Sequence, residues 1–361
     1  MAHFRDFAMQ AALMSDGRVL VVGGHAEGEP TDPAMRSADL FDPATGQWTA
    51  TETTQSPHWG GHTVTGLQDG TVLVAGGYPL APVNSNPGQT TAAELFDPAT
   101  GHWNKTGSMT VARTRHLATL LLDGSVLAVG GYQTPARGFG QVATRTAEIF
   151  DPRSGTWART ASLTMIRVAR SASLLPDGRV LVLGDGGTRD APFGALEVYD
   201  PARRTWTGGR TSGDLGCDGV LPPMVPLSDG RLLGLCGTVF QPDSVAVSAA
   251  VFNPASATWT ATTPPLRRMS RTATLLADGR VLVSDVGPGE IYDPATAKWT
   301  NAGLPTVPDA RLTGYRVSGG TTARRVDPDW YEVDTATLLR DGRVLLTIAN
   351  RGLVYDPTGQ R

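Results

Sequence analysis

The chain of 361 residues lacks several features that would indicate a particular class of protein. Its two cysteines are too few for a disulfide framework, and its formal net charge of -3 offers no basic excess for nucleic acid. No apolar stretch reaches the roughly 18 residues that a membrane-spanning helix needs. The first residues show no basic segment followed by an apolar run, so we expect no secretory signal and a cytoplasmic protein. We expect neither a membrane nor a nucleic acid as partner.

The chain is rich in repetition. An apolar strand, an Asp-Gly pair and a second apolar strand occur seven times, and each time a strand ending at Asp-Pro or Asn-Pro follows. The pairs are Asp16-Gly17, Asp69-Gly70, Asp123-Gly124, Asp177-Gly178, Asp229-Gly230, Asp278-Gly279 and Asp341-Gly342. Their spacings of 53, 54, 54, 52, 49 and 63 residues indicate an array of one repeated unit. We therefore interpret residues 1–361 as a single domain.

One copy of the repeat predicts four antiparallel strands, which we call a to d in chain order. Asp-Gly between two apolar runs predicts a tight hairpin, because Gly adopts positive φ at little cost. In the second copy, the strand after Asp69-Gly70 is apolar at consecutive positions, so both of its faces should be buried. A third strand then ends at Asp97-Pro98, and Trp103 opens a fourth. Such sheets, buried on both faces, predict an all-β propeller.

Three features of the repeat resemble the Kelch repeat: the Gly-Gly pair ending strand b, the aromatic-Asp-Pro sequence, and a Trp about six residues later. The wording DGRVLVVGG is similar to bacterial members and to the central propeller of galactose oxidase. The resemblance covers essentially the whole chain and implies a seven-bladed Kelch-type propeller of four-stranded antiparallel blades. No fourth strand is visible in the seventh copy, so we expect its outer strand to be missing, or a loop to cover that edge.

Loop lengths indicate which face carries the function. The b–c loops and d–a connections lie on one face, called here the mouth, and the a–b and c–d turns lie on the opposite face. Blades 1 to 3 have long b–c loops, and residues 303–325 form an insertion in the last d–a connection. Because binding residues concentrate on loops held by a rigid scaffold, we predict that the mouth is functional. Neutral variation of surface loops is the alternative.

Departures from the repeat at the mouth supply the candidate residues. Arg or His stands seven residues before the Asp-Gly pair in four blades and ten residues before it in three, as in the family's usual pattern, whereas Asp6, Trp59, Tyr331 and Asp334 depart from it. We predict that His62, His116, Asp6 and Asp334 are the catalytic acid–base groups. The predicted substrate-binding residues are His25, Trp59, Tyr78, Arg113, Tyr132, Arg167, Arg170, Asp185, Arg268, Arg271, Asp285 and Tyr331. The alternative for the arginines is a structural bond to loop carbonyls, and for Asp185 and Asp285 an arginine partner.

Five of the six histidines fall at the mouth ends of blades 1 to 3: His3, His25, His58, His62 and His116. Histidine transfers protons near neutral pH and is also the commonest metal ligand. Because no close-spaced pair like HExxH occurs, we expect no metal and no cofactor, with a metal held by the mouth histidines as the alternative. Cys217 and Cys236 fall where they could meet at the blade 5 hairpin, but we expect free thiols.

Two classes of function remain. Kelch propellers include enzymes, sugar isomerases and protein-binding platforms, so the fold alone does not choose between them. Galactose oxidase activity is not expected, because its copper site uses a Tyr-His pair and no Tyr-His dipeptide occurs here. We predict a stand-alone enzyme that acts on a small anionic or aromatic substrate by cofactor-independent acid–base chemistry, as an isomerase, cyclase or lyase. The alternative is a binding module for a peptide or protein partner.

Overall fold

The structure is a computed structural model. It describes residues 1, 9–24, 36–79, 88–134, 141–165, 168–185, 195–212, 224–236, 248–265, 272–284, 289–304, 335–348 and 351–359. No helix in these ranges is long and apolar enough to cross a bilayer.

The described residues form the seven blades of a β-propeller, as the sequence predicts. Blade 1 contains β1 (Gln10–Leu13), β2 (Val19–Val22), β3 (Ala38–Asp42) and β4 (Gln47–Ala50). Blade 2 contains β5 (Thr63–Gly66), β6 (Val72–Ala75), β7 (Ala93–Asp97) and β8 (His102–Lys105). Blade 3 contains β9 (Leu117–Leu120), β10 (Val126–Val129), β13 (Ala147–Asp151) and β14 (Thr156–Thr160), and its b–c connection carries the hairpin β11 (Tyr132–Gln133) and β12 (Val142–Ala143).

The remaining blades continue the pattern of antiparallel neighbours. Blade 4 contains β15 (Val168–Leu174), β16 (Val180–Asp185), β17 (Ala195–Asp200) and β18 (Thr205–Arg210). Blade 5 contains β19 (Val225–Pro226), β20 (Leu232–Cys236), β21 (Ser248–Asn253) and β22 (Thr258–Ala261). Blade 6 contains β23 (Thr272–Leu275), β24 (Val281–Ser284), β25 (Glu290–Asp293) and β26 (Lys298–Asn301). Blade 7 contains β27 (Thr335–Leu338), β28 (Val344–Ile348) and β29 (Arg351–Tyr355).

The a–b hairpins owe their geometry to the Asp-Gly pairs. All seven glycines of these pairs have positive φ, between 83° and 90°, which a residue with a Cβ adopts only with strain. The preceding Asp accepts the backbone N–H two residues further on, as in the 2.9 Å bond from Arg18 N to Asp16 Oδ1. This local bond closes the turn without help from the rest of the fold.

The hydrophobic core lies between the blades. Seven apolar clusters join each blade to the next, and the strand d Trp belongs to the cluster shared with the preceding blade. Each Trp also packs on the strand c aromatic of its own blade, with ring centroids 4.8 to 5.1 Å apart. These tryptophans therefore pack between neighbouring blades.

Blade 7 closes the ring without contributing a strand to blade 1. Its three strands meet blade 1 through an apolar cluster in which Trp48 packs against the blade 7 strands, next to Gly352. Two arginines complete the seam on the opposite face: Arg343 Nη2 donates to Pro43 O at 2.9 Å, and Arg340 donates to Ser15 O. The predicted three-stranded last blade is confirmed, and side-chain packing holds its junction with blade 1.

Candidate functional site

A buried carboxylate on strand c anchors the d–a connection at the mouth of blade 3. Glu148 Oε2 accepts the backbone N–H of Thr110 at 2.6 Å, and Oε1 accepts that of Val111 at 3.1 Å and Arg113 Nη2 at 2.7 Å. The side chains of Glu148 and Arg113 are both 0% exposed. Burial alone would raise the pKa of Glu148, but these hydrogen bonds outweigh it and keep the pKa below its ordinary value.

The guanidinium of Arg113 binds acceptors of its own blade. Besides Glu148, it donates to Gly130 O at 2.9 Å, Thr146 O at 3.0 Å and Thr146 Oγ1 at 3.0 Å. Burial lowers the pKa of Arg113, and the neighbouring carboxylate partly compensates. These contacts match the structural alternative, in which an arginine binds loop carbonyls, and they leave no guanidinium surface exposed to a substrate.

In blade 2, His58 occupies the place of Arg113. Glu94 accepts the backbone N–H groups of Gln55 at 2.7 Å and Ser56 at 2.5 Å, and His58 Nε2 lies 3.7 Å from Glu94 Oε1. His58 is fully buried, and neither of its ring nitrogens has a hydrogen-bond partner. Blade 2 therefore keeps the buried carboxylate but replaces the arginine with an imidazole that lies beyond hydrogen-bonding distance.

Trp59 does not lie at the repeat position that a count of ten residues before Asp-Gly assigns to it. Trp59 N donates to Tyr78 O at 3.3 Å, as Thr114 N of blade 3 donates to Tyr132 O at 3.0 Å, so Trp59 is equivalent to Thr114. The Gly60-Gly61 pair lengthens this segment by one residue relative to blade 3. Trp59 therefore lies at the mouth because of this extra residue, and it does not replace a repeating arginine.

His62 and His116 bridge neighbouring blades. They are 3% and 4% exposed, and their Nε2 atoms lie 3.2 Å from Val22 O and 3.1 Å from Thr63 Oγ1 of the preceding blade. Gly76, the first of the Gly-Gly pair in blade 2, must lack a Cβ because that atom would lie 2.8 Å from His116 Cε1. Burial, and then the charge of Arg113, lower the pKa of His116 to about 3. Its imidazole is consequently neutral at physiological pH and a weak base.

A half-buried aromatic surface lies at the mouth of blades 2 and 3. The rings of Trp59 and Tyr78 form an edge-to-face pair, with centroids 5.4 Å apart and an interplanar angle of 70°. Gln141, next to the 43% exposed Val142, donates its side-chain amide to the hydroxyl of Tyr78. Trp59, Tyr78 and Tyr132 are half-buried, and Gln141 is exposed. We call these four residues the aromatic rim.

Arg170 does not take the position of the mouth histidines. Strand β15 has a register shift between Ala169 and Ser171, which leaves Arg170 as the extra residue of a bulge. The side chain of Ala169 consequently lies against Gly130, where His116 lies against Gly76 in the previous blade. Arg170 itself is half-buried.

Of the remaining predicted site residues, the structure describes Asp185. Asp185 ends β16, where it pairs with Val168. Outside the described residues lie Asp6, His25, Arg167, Arg268, Arg271, Asp285, Tyr331 and Asp334, together with Cys217 and residues 305–325 of the insertion. The roles assigned to them stay predictions.

Sequence reasoning missed the buried acids of strand c. Asp39, Glu94, Glu148, Glu197 and Glu290 each stand three residues before the Asp of the following Asp-Pro pair and are at most 4% exposed. In blade 4, Glu197 accepts the N–H groups of the d–a connection, as the acids of blades 2 and 3 do. The available signal was an acid recurring within an otherwise apolar strand, where only a paired or hydrogen-bonded carboxylate is tolerated.

The family model described as Kelch motif matches residues 113–164, from Arg113 to the end of blade 3. The chain carries a Kelch motif in blade 3 and folds as a seven-bladed β-propeller. Over 123 residues this chain is 28% identical to human Kelch domain-containing protein 8B, covering 32% of the chain and 34% of the relative.

Two more relatives match longer parts of the chain. The Kelch-like protein terF of Aspergillus terreus is 27% identical over 191 residues, or 50% of this chain and 34% of terF. Spermatocyte protein spe-26 of Caenorhabditis elegans is 25% identical over 190 residues, or 51% of this chain and 30% of spe-26. The chain therefore spans about a third of the length of the curated relatives it matches.

A solved structure shares the fold. It is titled a novel fungal alcohol oxidase of the AA5 family in complex with copper, with a TM-score of 0.65 and 16% identity, over 98% of this chain and 75% of the oxidase. Within the described ranges of the chain, no three His, Cys, Asp or Glu side chains come together as a metal site. At 16% identity, the likeness to that oxidase is one of fold.

Proposed function

We propose that this Kelch propeller is a binding module that holds a peptide segment of a protein partner at the mouth of blades 2 and 3. The observation that carries the proposal is the aromatic rim. The edge-to-face pair of Trp59 and Tyr78 is half-exposed, and Gln141 holds the Tyr78 hydroxyl from the neighbouring blade. Tryptophan and tyrosine are the residues most enriched among those that dominate binding energy in protein interfaces.

The layer beneath the rim supports the proposal. Glu94 and Glu148 bind backbone N–H groups of the d–a connections, and His62 and His116 bridge neighbouring blades. All four side chains are nearly or fully buried, so the rim rests on a base with little freedom to rearrange. A rigid binding surface loses less conformational entropy when a ligand binds, which favours affinity.

The proposal can be tested with peptides selected from a random display library against the immobilised propeller. Titration calorimetry of the selected peptides should give binding at least about 30-fold weaker for Trp59→Ala, the loss of about 2 kcal/mol typical of an interface hot spot. Tyr78→Phe removes only the hydroxyl that Gln141 contacts, so a loss of about 2- to 10-fold is expected.

The control variant is Leu122→Ala. Leu122 is 64% exposed and lies beside Gly178 of the blade 4 hairpin, on the opposite face, so its truncation should leave peptide affinity unchanged. Peptides that bind Trp59→Ala as tightly as the unaltered protein would contradict the proposal. So would peptides whose affinity falls in Leu122→Ala but not in the rim variants.

An acid–base enzyme acting without a cofactor on a small anionic or aromatic molecule is the second candidate. The observation in its favour is His116 Nδ1, which is buried and has no hydrogen-bond partner. Against it, a pKa of about 3 makes His116 a weak proton acceptor at neutral pH. Incubation with a metabolite mixture, followed by mass spectrometry, should show one compound converted by the unaltered protein and not by His116→Ala. If no compound changes, the enzyme proposal fails and the peptide proposal is unaffected.

A further inference from the structure

On the opposite face, an arginine of the a–b hairpin bridges to the next blade in blades 1, 6 and 7. In blade 1, Arg18 Nε donates to Asp16 Oδ2 at 2.8 Å, and Arg18 Nη2 donates to Pro98 O of blade 2 at 2.9 Å. The charge of Arg18 also acts on the strand c Asp of the same blade: the Ala44 N–H and, as a smaller contribution, the charge of Arg18 lower the pKa of Asp42. The guanidinium is thus bound by a hairpin Asp and by a proline carbonyl of the next blade, within the field of a strand c Asp.

The same arrangement of hairpin Asp and proline carbonyl, called here the cradle, binds an arginine in blades 6 and 7. In blade 7, Arg343 Nε donates to Asp341 Oδ2 at 2.8 Å, and its Nη2 donates to Pro43 O at 2.9 Å. In blade 6, Arg280 Nε donates to Asp278 Oδ2 at 2.7 Å, and its Nη2 lies 3.5 Å from Pro357 O. In three blades of this chain, therefore, a hairpin Asp and a proline carbonyl of the next blade bind a guanidinium group.

Blade 3 keeps the cradle but lacks the arginine. Ser125 stands where the other blades have Arg18, Arg280 and Arg343, and its N and Oγ both bond to Asp123 Oδ1. A groove of about 220 Å³ lies at this place, lined by Asp123, Ser125, Asp151, Tyr199 and Pro201 among others. Neither Asp123 Oδ2 nor Pro201 O accepts a hydrogen bond from any residue in the described ranges. A short serine side chain leaves the space of a longer side chain open.

We propose that this groove between blades 3 and 4 binds the guanidinium group of an arginine side chain supplied by a partner protein. Asp123 Oδ2 would accept its N–H groups from one blade and Pro201 O from the next, as their counterparts do in blades 1, 6 and 7, and Asp151 would add a negative charge beside them. The planar guanidinium presents five donors in a fixed geometry, which suits an arrangement of carboxylates and a carbonyl better than an ammonium does. The site lies on the face opposite the aromatic rim, so it stands independently of the proposed function.

Two arginines that line the groove lower its affinity for a further cation. Arg153 and Arg204 also line it, and the charge of Arg153 acts on Asp123. Both arginines are exposed, and neither guanidinium donates a hydrogen bond within the described part of the chain. Solvent screens such charges, so they weaken the binding of a further cation without closing the groove. Arg153→Gln should accordingly strengthen binding.

The test uses N-acetyl-L-arginine methylamide as the probe and amide NMR shifts of the whole 38.0 kDa protein as the readout. We expect saturable shifts at Gly124 and Ser125 with a Kd on the order of millimolar, as suits a single exposed side chain. The lysine analogue should bind at least about tenfold more weakly. Equal affinity for the two probes, or no saturable shift up to the solubility limit of the arginine probe, would overturn the proposal.

Matched variants tie the binding to the groove. Ser125→Arg lets the chain fill its own cradle and should abolish probe binding, whereas Ser256→Arg, on an exposed turn of blade 5, adds the same side chain elsewhere and should not. Asp123→Asn keeps the turn oxygen but loses the charge, and should weaken binding about fivefold or more. Asp69→Asn alters the equivalent turn of blade 2 and should have no effect. Undiminished binding to Ser125→Arg would refute the assignment.

Discussion

Replacing Arg113 with Met is the sharpest test of how the mouth is built. The substitution keeps an unbranched apolar stem but removes the guanidinium, which donates to Glu148, Gly130 O and Thr146. Because both members of the ion pair are 0% exposed, water cannot replace the lost bonds. Glu148 would then be a buried carboxylate whose charge is opposed only by two backbone N–H groups.

The magnitude follows from burial and chain length. Breaking a buried ion pair by removing one partner typically costs about 3–5 kcal/mol. At about 2.1 cal/mol/K per residue, the unfolding entropy of 361 residues is about 0.76 kcal/mol/K. The Tm of Arg113→Met should therefore fall by about 4–7 °C, which calorimetry resolves easily.

Two further variants serve as comparisons for Arg113→Met. Arg113→Met combined with Glu148→Gln should be more stable than Arg113→Met alone, because the glutamine keeps an acceptor for the backbone N–H groups without an unpaired buried charge. Arg18→Met removes a guanidinium whose side chain is 34% exposed, so it should cost about 1 kcal/mol or less. A Tm for Arg113→Met within 1 °C of the unaltered protein, or equal losses for Arg113→Met and Arg18→Met, would refute the reasoning.

Two further predictions concern the mouth and the seam. The pKa of His116 is about 3 in the fold and 6.5, its ordinary value, in the unfolded chain. The stability that the neutral His116 contributes is therefore complete above pH 6.5 and is lost as the pH falls towards 3. Urea unfolding from about pH 7 to pH 4 should show this loss, at most about 1.4 kcal/mol per pH unit, diminished in His116→Gln and retained in the exposed-residue control His102→Gln. Gly352→Ala places a Cβ against the indole of Trp48 and should lower the free energy of unfolding by about 1–3 kcal/mol. In the control Gly209→Ala, the new Cβ meets only a movable leucine methyl group. Equal Tm values for the two variants would contradict this account of the junction between blades 7 and 1.

Much of the fold was readable from the sequence because its determinants are local and repeated. The Asp-Gly turns need only positive φ at one residue and one bond between near neighbours, so seven copies predicted seven hairpins. The absence of a fourth strand in blade 7 followed from the same repeat and is confirmed.

The site was less readable because its determinants are not local. The burial of His62 depends on Gly23, and its hydrogen bond on Val22, both in the preceding blade. Counting from Asp-Gly could not detect that Gly60-Gly61 shifts Trp59 by one residue. The buried acid Glu148 looks like a surface charge in sequence, since only the fold places Thr110, Val111 and Arg113 around it.

The junction between blades 7 and 1 has a consequence for the order of folding. Its two hydrogen bonds join residues 300 and 325 positions apart, whereas each hairpin closes over a few residues. Blades form from contiguous segments, so contacts with the greatest loop-closure entropy should form last. Until then the molecule is an open arc whose first and seventh blades expose unburied apolar faces, those of Val21 and Leu345 among them. Two such arcs can join the first blade of one molecule to the seventh of another, and refolding at high concentration should therefore yield linked oligomers that dilution suppresses.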